Sequence, residues 1–135
     1  MRLIRASLAD AYKVHKTMSE YMEDCGDDPK TIDGNYDMWL RRLTDEERIY
    51  LLLLHGRKCV GMIWGEALKN EPKRTILLEG RYLRRAYRGK IRFTRALFEG
   101  IESLVKEFEV VRLMIPRVKK KIPSKYKILG TLVEV

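Results

Sequence analysis

Apolar residues follow two rhythms along this chain, one helical and one extended, and their alternation marks out the elements. Leu8, Ala11, Val14, Met18 and Tyr21 recur at three- to four-residue intervals while Asp10, Lys13, Lys16 and Glu20 occupy the other faces, which predicts an amphipathic helix. Ser7-Leu8-Ala9-Asp10 opens it in the manner of a capping box, with a hydroxyl for the first free amides and a carboxylate for the positive end of the helix. Arg2-Leu3-Ile4-Arg5 precedes it as a short strand, and the polar segment from Asp24 to Pro29 ends it. A second, short helix is expected around Trp39, Leu40 and Leu43.

Ile49 to Leu54, then His55-Gly56-Arg57-Lys58, then Cys59 to Trp64 predict two antiparallel strands joined by a tight turn. Asn70-Glu71-Pro72-Lys73 makes the next turn, and Thr75 to Leu83 supplies another strand. Beyond an arginine-rich loop, Phe93, Leu97, Ile101, Leu104 and Phe108 fall on one face of a long helix. Val110 to Ile115 is apolar enough for a buried central strand ended by Pro116. A short helix around Tyr126 and a last strand over Thr131 to Val135 complete the series. The expected class is therefore α+β with one mixed sheet flanked by helices, and 135 residues predict one domain spanning residues 1–135.

Composition adds little to this picture: 45% apolar and 35% charged residues are an ordinary globular balance. The longest aliphatic run, Ile49 to Leu54, falls far short of the roughly 20 residues of a membrane span. No apolar segment follows the N-terminal arginines to suggest a secretion signal. Cys25 and Cys59 form no CxxC pair and have no neighbouring histidine, so no metal site is expected and a reducing, cytoplasmic setting is.

Charge changes the picture more. The net charge is +9, unevenly distributed. Seven acidic residues, Glu20, Glu23, Asp24, Asp27, Asp28, Asp33 and Asp37, surround the single Lys30, whereas from Arg81 to Lys127 fifteen Lys or Arg face four Glu. One end is expected to hold an anion and the other to attract a cation. The plainer reading of each run, a solvated surface, stands beside this.

Tyr82-Leu83-Arg84-Arg85-Ala86-Tyr87-Arg88-Gly89-Lys90 carries the strongest chemical signal, a strand end feeding a basic turn and then a helix. Amides at a helix start lack partners and sit at the positive end of the dipole, so together with arginines they suit a pyrophosphate. The segment resembles the strand-to-helix turn of the GNAT superfamily of N-acetyltransferases, V-x-P-x-Y-R-G-K-G-x-G, with Tyr87-Arg88-Gly89-Lys90 matching its first half. Tyr126-Lys127-Ile128-Leu129-Gly130-Thr131 is similar to the family's C-terminal Y-x-x-L-G-F segment, and the order of elements agrees from Leu3 onward.

The resemblance implies a mainly antiparallel central sheet and an acetyl group carried from acetyl-CoA to a primary amine of a small molecule or peptide. The pantetheine arm would pair with the strand ending at Leu83. The pyrophosphate would lie on the amides of Arg88, Gly89, Lys90, Ile91, Arg92, Phe93 and Thr94, with Arg84, Arg85, Lys90 and Arg92 drawing the phosphates. Tyr126 would protonate the departing thiolate, Glu79 would take the amine proton, and the acidic loop would draw in a cationic amine.

Three departures bear on these expectations. Ile91 and Phe93 replace the last two glycines of the turn, Thr131 replaces the usual Phe, and a single final strand is expected where the family has two, leaving a sheet short of its last strand or an edge completed by a second copy in a homodimer. Bland readings also stand: Tyr126 as a ring packed beneath the sheet, Glu79 as a surface strand residue, His15 and His55 as helix-surface and turn residues, Trp39 and Trp64 as core or substrate wall. Two function classes result. An acetyltransferase requires a groove between the strands at Leu83 and Val111, open to Glu79 and the basic loop. A non-catalytic relative, binding a protein or nucleic acid through its basic face with Lys119 to Lys121 the first place to look, requires Ile91 or Phe93 to fill that groove.

Overall fold

The computed structural model describes residues 1–28, 30, 35–114, 127–129 and 132–134. Its strands are β1 (Arg2–Arg5), β2 (Arg48–His55), β3 (Lys58–Leu68), β4 (Thr75–Leu83), β5 (Val110–Met114), β6 (Lys127–Leu129) and β7 (Leu132–Glu134). The α-helices are α1 (Ala11–Asp24), α2 (Tyr36–Thr44) and α3 (Ile91–Ser103). All strands join one sheet in the order β1-β2-β3-β4-β5-β7-β6, in which β4 and β5 are the parallel pair and the other neighbours are antiparallel.

Helices cover both faces of this sheet, which explains why β2 reads as an unbroken apolar run rather than as an alternation. Ile49, Leu51 and Leu53 pack with Phe93, Leu97 and Ile101 of α3. Tyr50, Leu52 and Leu54 pack on the opposite face with Val14 and Met18 of α1 and Trp39 of α2. A strand buried on both sides has no polar face to show. Gly100 lets α3 approach β1 closely: a β-carbon there would stand 3.0 Å from the Leu3 side chain.

Ser7 and Asp10 form the capping pair, the Ser7 amide donating to Asp10 Oδ2 at 3.0 Å, but the first turn, Leu8–Asp10, is a 3-10 turn and α1 proper begins at Ala11. The stripe ending in Leu104 and Phe108 also tightens, since α3 gives way after Ser103 to a 3-10 turn over Leu104–Lys106.

The C-terminal expectations are corrected. Lys127–Leu129 is a strand rather than part of a short helix, and it pairs with Leu132–Glu134, so two strands follow β5 where one was expected. The sheet is not short of its last strand. Tyr126, Thr131 and Lys119 to Lys121 lie outside the described residues.

Candidate active site

Two irregularities shape the middle of the sheet. The register of β3 against β4 shifts between Trp64 and Gly65, so that Trp64 faces Gly80 while Gly65 faces Leu78, and Glu79 is the extra residue of a β-bulge. Gly80 makes room for the Trp64 indole, which would lie 2.2 Å from a β-carbon at that position. On its other side β4 meets β5 from Thr75 to Leu78, yet β4 runs on to Leu83. Among the described residues, the edge from Glu79 to Leu83 has no strand against it there.

A cleft of about 540 Å³ opens beside this edge. Arg81, Tyr82 and Leu83 of β4, Thr94, Leu97 and Phe98 of α3, and Tyr21, Asp24 and Cys25 at the end of α1 line it together with Arg88. Neither Ile91 nor Phe93 enters. Ile91 is 73% exposed and points to solvent, whereas Phe93 is 1% exposed and turns into the α3-side core, where its ring meets those of Tyr87 and His55 edge-on at 5.1 and 5.5 Å. The blocked groove required of a non-catalytic relative is absent among the described residues. Val111 and Glu79 do not line the cleft: Val111 pairs with Ile76 deeper in the sheet, and Glu79 forms an ion pair with Arg48 at 3.8 Å.

Between β4 and α3 the chain makes a 3-10 turn over Arg85–Tyr87 and then reverses at Gly89, whose φ of +79° is the left-handed conformation that glycine adopts without strain. Nothing lies within 4 Å of a β-carbon built there, so this glycine answers a backbone need rather than a steric one. The N–H groups of Ile91 and Arg92 open α3 and have no intrahelical carbonyl to reach. The Phe93 N–H donates to Lys90 O at 3.1 Å.

The cationic side chains divide into two sets. Lys90 and Arg92 are exposed, the Arg92 guanidinium lying over the Phe93 ring 4.7 Å from its centroid. Arg84, Arg85 and Arg88 instead meet the acidic end of α1. Arg84 Nε is 3.7 Å from Glu20, Arg85 donates to Asp24 at 2.6 Å and to Glu23 at 3.1 Å, and Arg88 donates to Asp24 at 2.6 Å. The Tyr82 hydroxyl donates into the same group, to Asp24 Oδ2 at 2.5 Å and Glu20 Oε2 at 3.0 Å. The two charge runs expected at opposite ends therefore face each other, and Glu20, Glu23 and Asp24 are engaged by arginines. The sequence carries a signal for this: Glu20, Glu23 and Asp24, the three acids of α1, share one helix face by their i, i+3, i+4 spacing.

Hydrogen bonds from Tyr82 and then Arg88, joined by Arg85, hold the Asp24 carboxyl well below the usual carboxylate range, against the opposing effect of desolvation. Burial, with Asp24 and Glu20 as hydrogen-bond partners, pushes the Tyr82 phenol above its usual range. A carboxyl depressed on folding contributes stability that is complete above its unfolded value and is lost as pH falls through the folded one. Asp24→Asn is therefore expected to melt below wild type at neutral pH and to converge with it as pH drops below the ordinary aspartate value of 3.8. A gap unchanged down to about pH 2, followed by circular dichroism, would show that the Asp24 charge plays no part in stability.

No family model matches the sequence, and no curated protein matches it. Solved structures do. A ribosomal-protein-alanine N-acetyltransferase from Brucella melitensis biovar Abortus 2308 superposes with a TM-score of 0.67 at 20% identity, over 87% of this chain and 81% of that one. An aminoglycoside acetyltransferase from an uncultured soil metagenomic sample, in complex with sisomicin, gives 0.72 at 13% identity over 95% of each chain. The chain has the GNAT acetyltransferase fold. At these identities the likeness is one of fold. No group of three or more metal-ligating side chains occurs among the described residues, and none of the described helices is long and apolar enough to cross a membrane.

Proposed function

We propose that this chain is an N-acetyltransferase that moves an acetyl group from acetyl-CoA to a primary amine of a small molecule or peptide. The observation that carries the reading is the β4 edge from Glu79 to Leu83, which continues past the last β5 pairing with a cleft beside it. An unpaired strand edge offers N–H and C=O groups to an extended amide-bearing chain, and the pantetheine arm of coenzyme A is such a chain. Two acceptor types are represented among the similar folds, a ribosomal-protein alanine and an aminoglycoside, and both are amines.

The amides of Arg88 and Phe93 are taken by the Arg85 and Lys90 carbonyls, so in this reading those of Gly89, Lys90, Ile91 and Arg92 face the pyrophosphate, with Arg88, Lys90 and Arg92 supplying positive charge. Acetyl-CoA supplies a thioester whose carbonyl carbon the amine attacks, forming the C–N bond as the C–S bond breaks and the thiolate leaves. Glu79 takes the proton released by the amine nitrogen, and Tyr126 gives its phenolic proton to the thiolate sulfur. The cleft between α1, β4 and α3 would take the coenzyme arm, with Glu79 outside its lining at the bulge where the free β4 edge begins.

Isothermal titration tests the first step. Acetyl-CoA is expected to bind in the micromolar range, and Arg88→Ala to weaken binding about ten-fold through loss of a charge-assisted contact. Absence of heat at millimolar acetyl-CoA, from protein shown to be folded, would end this reading and turn attention to macromolecular partners of the basic face.

A further inference from the structure

We infer that Asp24, supported by Glu20 and Glu23, acts as an internal anion that occupies the arginines of the β4–α3 turn, so that a phosphate ligand binds by competing with Asp24 for Arg88. The inference rests on reading that turn as a phosphate site.

The argument is one of donor geometry. A guanidinium grips a phosphate best by offering two parallel N–H groups along one edge. In Arg85, Nε donates to Asp24 Oδ1 and Nη2 to Glu23 Oε2. In Arg88, Nε donates to the Leu83 carbonyl at 2.9 Å and Nη2 to Asp24 Oδ2. The Nε–Nη2 edge of each arginine is thus already committed, and Arg88 also lies over the Tyr82 ring at 4.9 Å. Arg84 is turned inward, donating to the Cys59 carbonyl. Of the four cations expected to draw the phosphates, Arg84 and Arg85 are held by protein groups, as is Arg88, while Lys90 and Arg92 are exposed.

Asp24 is the centre of this arrangement because it is the acid that holds Arg88, while also accepting from Tyr82 and Arg85; Glu20 meets Tyr82, Arg84 and the Arg85 amide instead. Asp24 also lines the cleft together with Arg88, so a ligand entering there meets carboxylate and guanidinium side by side. Asp24 repels an incoming dianion, which must draw Arg88 off the carboxylate to gain that donor. The exchange moves no proton and breaks no covalent bond; one anion replaces another on the same donor. It also loosens the tie between the end of α1 and the turn, so occupation of the phosphate site is transmitted to the α1 side of the cleft.

Calorimetry on the full chain, with inorganic pyrophosphate and coenzyme A as separate probes, decides the matter. Asp24→Asn is expected to tighten both ligands about ten-fold, and Glu23→Gln, which releases only one donor of Arg85, to tighten them about two- to three-fold. Asp28→Asn makes the same charge change at an exposed residue outside the network and is expected to leave both affinities within about two-fold. Pyrophosphate that binds Asp24→Asn no more tightly than wild type, or binds neither, overturns the inference. Should Asp24→Asn fail to fold, Glu23→Gln carries the comparison, its side chain being 52% exposed, and an affinity equal to that of Asp28→Asn is the overturning result.

In wild type, the Nε–H resonance of Arg88 is expected to shift on saturation with pyrophosphate, and one that stays fixed overturns the exchange. The two readings separate cleanly. Tighter pyrophosphate binding in Asp24→Asn with no coenzyme A binding in any variant supports the internal anion and removes the acetyl-CoA reading. Coenzyme A binding in wild type with no gain in Asp24→Asn does the reverse.

Discussion

Gly65→Ala is expected to lower the melting temperature by roughly 10 °C, corresponding to about 3 kcal/mol for a chain of this size. A β-carbon at Gly65 would stand 2.2 Å from the Leu77 carbonyl oxygen and 2.9 Å from Leu78 Cα. Both are backbone atoms of β4, so no rotamer change relieves the contact. The strand itself must move, and it is held by β3 on one side and β5 on the other. Gly100→Ala provides the contrast, because its β-carbon meets only the end of the Leu3 side chain, at 3.0 Å. Such a neighbour gives way, and a drop of about 3 °C or less is expected. Thermal unfolding followed by circular dichroism compares the two. A Gly65→Ala melt within about 2 °C of wild type would mean that β3 and β4 slide past each other freely at the bulge.

The significance of that position extends beyond stability. Gly65 lies where the β3–β4 register shifts, and the same irregularity sets Glu79 and Gly80 at the point where β4 leaves β5. Displacing β4 here would move the edge on which the proposed thioester site depends.

What could be read from the sequence follows the range over which each signal acts. The hairpin of β2 and β3 was legible because a tight polar turn separates two apolar runs, although β3 continues through Leu68, beyond the expected Trp64. The α3 stripe was legible from Phe93 onward because packing on one sheet face imposes a period. Three-residue strands impose none, so Lys127–Leu129 carried no extended signature. The network of α1 acids and turn arginines was not read because it is tertiary: Tyr82 and Glu20 are 62 residues apart. Two charge runs in a sequence do not reveal that the end of one element lies against the end of another. The fate of Phe93 was likewise open, since an aromatic ring at the first turn of a helix suits either the groove or the core. The neighbouring rings of Tyr87 and His55 draw it inward.

Glu79→Gln is expected to lower kcat about 10²-fold while leaving the affinity for acetyl-CoA within about two-fold, the pattern of a group that acts on the proton rather than on binding. Glutamine keeps the length of the side chain and an oxygen acceptor, but it cannot take up a proton from an amine. Glu79 suits the role by position: it is the extra residue at the β4 bulge, where the free edge begins, and its side chain is 30% exposed. Arg48 Nη1, 3.8 Å from Oε2, orients the carboxylate and accompanies its charge. Arg48→Met therefore serves as the partner variant, expected to reduce kcat less than Glu79→Gln because the proton acceptor remains. Steady-state kinetics at saturating amine, with acetyl-CoA affinity measured separately by calorimetry, divides the alternatives. If kcat is unchanged in Glu79→Gln, Glu79 is a surface strand residue whose work is the ion pair with Arg48, and the amine proton leaves directly to water. If kcat falls and binding does not, the bulge places a base beside the free edge, and the register shift at Gly65 is the feature that makes the site.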